Sequence, residues 1–282
     1  MDAKKIYKYS IILFLMIGCS KKINSTDELE YLNPQQAKEL ILVSRGTDLL
    51  LDSLLTIDTL TAKVLSQHES RKLSLNGLKN LDQGSADALS TASGMLCLDG
   101  LSSINRDIAT TLSSTNCDDL TLNGISVINT DVAESLSKFR GKRLHLNGIA
   151  NLDKEVARRL IKAKCYISLD GIRSITPDVA KELATTEGSI SLSGIGEMDK
   201  STAANLSRWQ GQNLDLGGLA VISSEVAREL VKFGRYKIQK MNRGNKASNS
   251  NDSYCTLSSK TEIADKSRVI LKGNPHIIIE DE

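Results

Sequence analysis

The chain has 282 residues, of which 40% are hydrophobic but only 4% aromatic, and it sets 36 Lys and Arg against 34 Asp and Glu. Such a balance excludes the basic footprint that a nucleic-acid binder needs, and the scarcity of aromatics leaves few of the anchors on which tight recognition concentrates. Five cysteines, Cys19, Cys97, Cys117, Cys165 and Cys255, show neither the C-x-x-C spacing of a zinc site nor a common level at which coils could stack a disulfide ladder.

At the amino terminus Lys4, Lys5 and Lys8 precede an unbroken apolar run from Ile11 to Ile17, and Gly18-Cys19 follows at once. This order predicts a signal peptide over residues 1–18. The run is far shorter than the ~20 residues that span a bilayer. The segment Leu15-Met16-Ile17-Gly18-Cys19 resembles the lipobox of bacterial lipoproteins. That resemblance implies cleavage before Cys19, lipidation of its thiol and acylation, palmitate included, of the new amino terminus. The protein would then sit in the bacterial cell envelope as a lipid-anchored component. Ser20 after the cysteine implies the outer membrane where a cell has two. Residues 19–27 form a short polar tether that keeps the body near its membrane.

From residue 28 to 242 the sequence repeats itself about eight to nine times. The glycines Gly77, Gly100, Gly124, Gly148, Gly171, Gly194 and Gly218 recur every 23 or 24 residues, with Ser53 in the same place one unit earlier. Counted from that position as 0, residues −4, −2, +1 and +4 are apolar, +5 is a helix-capping type, +9 is Ala and +12 is Leu. Apolar residues two apart, as in Leu73/Leu75, Leu120/Leu122 and Ile167/Leu169, predict a short strand. The glycine then serves either by adopting positive φ or by leaving no Cβ where coils stack. Asp58, Asp82, Asn105, Asn129, Asp153, Thr176, Asp199 and Ser223 at +5 are all preferred N-caps, and Pro177 follows in the first helical position. A helix of about two turns comes next, its Ala-x-x-Leu stripe facing the strands. The unit at Glu28 to Leu40 is an incomplete first copy, with Asn33 as cap and Pro34 after it.

One unit cannot bury six apolar positions alone, whereas stacked copies make one continuous core. The fold class expected is therefore α/β: a right-handed solenoid with one short parallel strand and one short helix per coil. The Leu-x-Leu strands and Ala-x-x-Leu helices resemble those of leucine-rich repeat proteins of the short bacterial kind found in envelopes. In the commonest such repeat a later Asn builds a buried ladder. Here the polar residue stands just before the glycine, as Asp52, Asn76, Asp99, Asn123, Asn147, Asp170 and Ser193. The Asn and Asp side chains of this −1 row are expected to bond backbone groups at the bend. After Leu230 the pattern fades. Residues 243–253 read as a flexible linker, and 254–282 as a capping hairpin or tail, with Arg268 to Leu271 paired to Ile277 to Ile279 across Gly273-Asn274-Pro275.

Function was sought on the strand positions expected to face outward. The −3 row reads Leu50, Ser74, Cys97, Thr121, His145, Ser168, Ser191, Asp215, and the −5 row Lys72, Met95, Asp119, Arg143, Tyr166, Ser189, Asn213. His145 has Thr121 and Ser168 beside it, but Asp215 lies three strands away, so no Ser-His-Asp relay forms. No catalytic residue, metal site or cofactor is expected. Met95, Arg143, His145 and Tyr166 are the most anchor-like side chains and form the expected contact patch. Two functions follow as expectations. The first is a non-enzymatic interaction or scaffold module presenting the repeat surface to an unknown protein or envelope polymer. The alternative, motivated by the polar sheet face, is a carbohydrate-binding or cell-wall-hydrolysing envelope protein. An outward −3 row also predicts that Ser168→Ala barely matters, while Leu146→Asp places a charge in the core.

Overall fold

The computed structural model describes residues 29–69, 71–219, 221–232, 237–241, 254–258, 262–263, 269–270 and 278–279. The expected signal peptide, Cys19, the expected tether and the expected linker at 243–253 lie outside these residues. Two compact units are present, Met1–Ser126 with Lys138–His145, and Val127–Ser137 with Leu146–Glu282.

In the first unit helices and strands alternate as α1 (Pro34–Val43), β1 (Leu49–Leu50), α2 (Thr59–Leu65), β2 (Lys72–Ser74), α3 (Gln83–Leu89), β3 (Met95–Cys97), α4 (Arg106–Ser113) and β4 (Asp119–Thr121), with β5 (Arg143–His145) completing it. The five strands are parallel and pair in chain order, and the −4 residues align as Leu49, Leu73, Leu96, Leu120 and Leu144. In the second unit come α5 (Thr130–Leu136), α6 (Lys154–Leu160), β6 (Tyr166–Ser168), α7 (Pro177–Leu183), β7 (Ser189–Ser191), α8 (Lys200–Leu206), β8 (Asn213–Leu216), β9 (Val221–Ile222) and α9 (Ser224–Val231). Its strands are likewise parallel, with Ile167, Ile190 and Leu214 in one row. Each unit is thus an α/β solenoid of strand–helix repeats.

Every +5 residue caps its helix. Asn33, Asp58, Asp82, Asn105, Asn129, Asp153, Thr176, Asp199 and Ser223 all have extended backbone and accept a hydrogen bond from the first turn through the side chain. At Asn33 the Gln36 side chain returns the bond to the cap's own N–H, completing a capping box. The carboxyl of Asp82 is held below its usual range chiefly by the Ser85 N–H. Behind the caps, the alanines at +9 and leucines at +12 are buried from Ala37 and Leu40 to Ala227 and Leu230. A larger side chain at +9 would hold the helix away from the sheet.

The repeating glycines owe their place to stacking. Among the described residues only Gly46 and Gly94 have positive φ. A Cβ on Gly77, Gly100, Gly124, Gly171, Gly194 or Gly218 would instead run into the −1 carbonyl oxygen of the preceding coil and crowd its +1 carbonyl oxygen. Of the two roles the sequence left open, the close approach of coils is the one used.

The carboxyl-terminal part holds the expected hairpin of Arg268 to Leu271 with Ile277 to Ile279, as an antiparallel pair, and adds parallel strands that the sequence reading did not place. β10 (Lys237–Met241) and β11 (Tyr254–Ser258) are both parallel strands, but it is β11 that pairs with β8, and β10 lies outside it. The register sets Cys255 and Leu257 beside Leu214 and Leu216, whereas Lys240 occupies the corresponding position on β10. In sequence, Cys-x-Leu matches the apolar pair at −4 and −2 of the repeat, and Ile-x-Lys does not. β12 (Glu262–Ile263) pairs parallel with β9, and β13 (Val269–Ile270) pairs antiparallel with β14 (Ile278–Ile279).

Candidate interaction surface

Asp52, Asn76, Asp99, Asn147 and Asp170, each one place before the repeat position, are struts between coils. In the first unit Asp52 Oδ1 accepts the Asn76 N–H at 3.0 Å, Asn76 Oδ1 accepts the Asp99 N–H at 2.9 Å, and Asp99 Oδ1 accepts the Asn123 N–H at 2.8 Å. In the second unit Asn147 Oδ1 accepts the Asp170 N–H, and Asp170 Oδ1 the Ser193 N–H, both at 2.9 Å. Asn and Asp therefore serve equally, because only one side-chain oxygen at a fixed height is needed. The bond expected at the bend is present at these five residues, and within each unit it runs from one coil to the next.

Ser74, Ser168 and Ser191 of the −3 row join the same network, which overturns the reading of these positions as an open face. Ser74, Cys97, Thr121, Ser168 and Ser191 are buried. Strands about 4.8 Å apart crowd such small side chains against their lateral neighbours. Ser74 Oγ donates to Asp52 Oδ1 at 2.6 Å and accepts from Asn76 Nδ2 at 3.0 Å. Ser168 Oγ lies 2.6 Å from Asn147 Oδ1 and 2.8 Å from Asp170 Oδ2, and Ser191 Oγ donates to Asp170 Oδ1. Burial pushes the Asp215 carboxyl above its usual range, against the Gly217 N–H that bonds it.

A mutation series measures these struts. Ser168→Ala should cost about 1–2 kcal/mol in chemical denaturation, since it removes a buried hydrogen bond, instead of being neutral. Asp170→Ala should cost about 2–4 kcal/mol, because it strips the acceptor from the Ser193 N–H and the Ser191 hydroxyl together. Asp170→Asn should recover most of that loss, as it keeps the oxygen.

Of the expected contact residues, Met95, Arg143 and His145 belong to the first unit and Tyr166 to the second. Lys72, Met95, Asp119 and Arg143 align on successive strands, so Met95 and Arg143 stand two strands apart with Asp119 between them. Arg143 is tied to that aspartate by two bonds, Nε to Oδ1 at 2.9 Å and Nη2 to Oδ2 at 2.6 Å. The guanidinium plane is fixed, and its outer half remains exposed. This fork was readable in advance: opposite charges 24 residues apart fall at equivalent places of neighbouring coils, as do Asp118 and Lys142 just before the two strands. His145 is half-buried, in register with Thr121. Tyr166 is half-buried on β6, in register with Ser189.

Among the described residues no group of three or more His, Cys, Asp and Glu side chains could hold a metal ion. Cys97, Cys117 and Cys165 are free thiols and buried. Burial raises the pKa of Cys97 and pushes Cys117 and Cys165 up to about 11. At pH 8 these three should resist iodoacetamide until the chain is unfolded in guanidinium, as read by mass spectrometry of the digested protein; labelling of native protein within minutes would contradict their burial.

Fold and surface together define a repeat protein, a solenoid whose polar rows are internal struts and whose longer side chains form its outer face. No protein-family model matches the chain, and no curated protein is significantly similar to it.

Proposed function

We propose that this chain is a lipid-anchored protein of the bacterial envelope that presents its repeat surface to another macromolecule and catalyses no reaction itself. The Leu15 to Cys19 segment supports the anchor. The observation that carries the interaction role is the ladder: the sheet's hydroxyls and carboxylates bond the next coil, so they hold a surface in shape. Long side chains, Met95 and Arg143 among them, are what that surface offers a partner. The carbohydrate-binding or wall-hydrolysing alternative drew its support from the same polar rows and loses it where Ser74, Ser168 and Ser191 are buried.

Mass spectrometry of the amino-terminal peptide from fractionated cells tests the anchor. A diacyl or triacyl Cys19 in the membrane fraction is the expected result, and an unmodified terminus downstream of it would overturn the reading. A photo-crosslinking residue at Met95 tests the surface in living cells. It should give a discrete adduct, and no more adduct than the buried Leu96 position gives would remove the interaction role.

A further inference from the structure

Six large apolar side chains are exposed among the described residues, and five of them, Tyr31, Leu42, Leu50, Leu55 and Leu60, lie in the first two coils; the sixth is Val127. The repeat shows how unusual they are. Where Leu50 stands at −3, the next coils of that unit have Ser74, Cys97 and Thr121; where Leu55 stands at +2, they have Lys79, Ser102 and Ser126. Leu60 at +7 is followed by Gly84 and Asp107, Tyr31 at +3 by Thr56, Asn80 and Ser103, and Leu42 at +14 by Gln67, Thr91 and Ser114. The solenoid therefore places leucine or tyrosine in slots that its own rule otherwise fills with small or polar residues. Tyr31 and Leu55 sit on adjacent coils in the loop between strand and helix, where the Leu55 N–H bonds the Glu30 carbonyl at 3.2 Å. Leu60 follows one turn on, in α2.

We infer that these first two coils rest on a lipid surface, with Tyr31, Leu42, Leu55 and Leu60 meeting the headgroup and acyl boundary. The inference rests on the anchoring reading. Residues 20–28 separate Cys19 from the first described coil and extend to about 30 Å at most. A short tether keeps the local concentration of membrane high for whatever lies at its end. Among those nine residues Ile23 is the only large apolar one, a poor match for four exposed apolar side chains. Lys21 and Lys22, beside the anchor, suit an anionic headgroup layer. A docked first coil would hold the array in one orientation to the membrane, where a tether alone leaves it free to swing.

The test uses the full chain purified from membranes, placed either in vesicles of phosphatidylethanolamine and phosphatidylglycerol or in non-ionic detergent, and oxidised briefly with hydroxyl radicals. Val127 is the internal reference, being exposed at 76%. In vesicles, oxidation of Tyr31, Leu42, Leu55 and Leu60 relative to Val127 should fall at least fivefold below its value in detergent. Equal ratios in the two media overturn the inference: unprotected in both, nothing covers the patch, and protected in both, the chain's own tether or a second copy does. The amino-terminal peptide of the same digest separates the two readings. An acylated Cys19 without protection removes the lipid contact and leaves the anchor, whereas protection with an unmodified Cys19 keeps the contact and removes the anchor.

Discussion

Gly194→Ala should unfold the second unit or cost it more than about 3 kcal/mol, beyond the usual price of one extra methyl group in a packed site. The added Cβ would meet the Asp170 carbonyl oxygen well inside contact distance, and would lie 2.7 Å from that of Ile172. Both obstacles are backbone, so no rotamer change relieves them. Separation of the coils is the only escape, and it breaks the bond from Asp170 to the Ser193 N–H. Gly196 supplies the control, because a Cβ there meets nothing within 4 Å and its φ is not positive. Gly196→Ala should be neutral, or stabilising by up to about 1 kcal/mol through the unfolded chain. Similar denaturation midpoints for the two variants would refute the stacking account of the repeat glycines.

Leu146→Asp should be as severe. Leu146 is fully buried at −2 of its coil, so the variant both empties a leucine-sized space and puts a carboxylate where nothing is placed to bond it, at a cost of about 4 kcal/mol or more. The pH dependence identifies the cause. A desolvated carboxyl has its folded-state pKa raised above the unfolded value, so the folded variant binds more protons than the unfolded chain, and its deficit against wild type should shrink as pH falls from 8 to 5. A deficit constant across that range would mean that the carboxylate reaches water, against the inward placement of Leu146.

The elements were legible because each depends on neighbours close in sequence. Asp82 caps α3 through residues within the same turn, and Ala86 and Leu89 share a face by helical spacing alone. The −3 row was misread because its burial depends on lateral neighbours 23 or 24 residues away and on how small those neighbours are. Ser168 on a solitary strand would face water; between Asn147 and Asp170 it does not. β11 escaped notice for another reason. Its Cys255-x-Leu257 pair fits the strand rule, but no glycine, cap or Ala-x-x-Leu follows it, so the sequence offers half a coil. Of the expected contact patch, the positions of Met95 and Arg143 on one row were readable from spacing, and the clamp by Asp119 required only the charges on that row to be compared.

The order β8, β11, β10 also has a timetable. Tyr254–Ser258 is synthesised after Lys237–Met241 yet lies inside it. Growth of the array can follow the emerging chain coil by coil as far as β8, but its proper neighbour is complete only about 40 residues later, roughly 2–8 s at ordinary rates of synthesis. For that interval the edge of β8 is open, within reach of β10 and of any strand-binding chaperone.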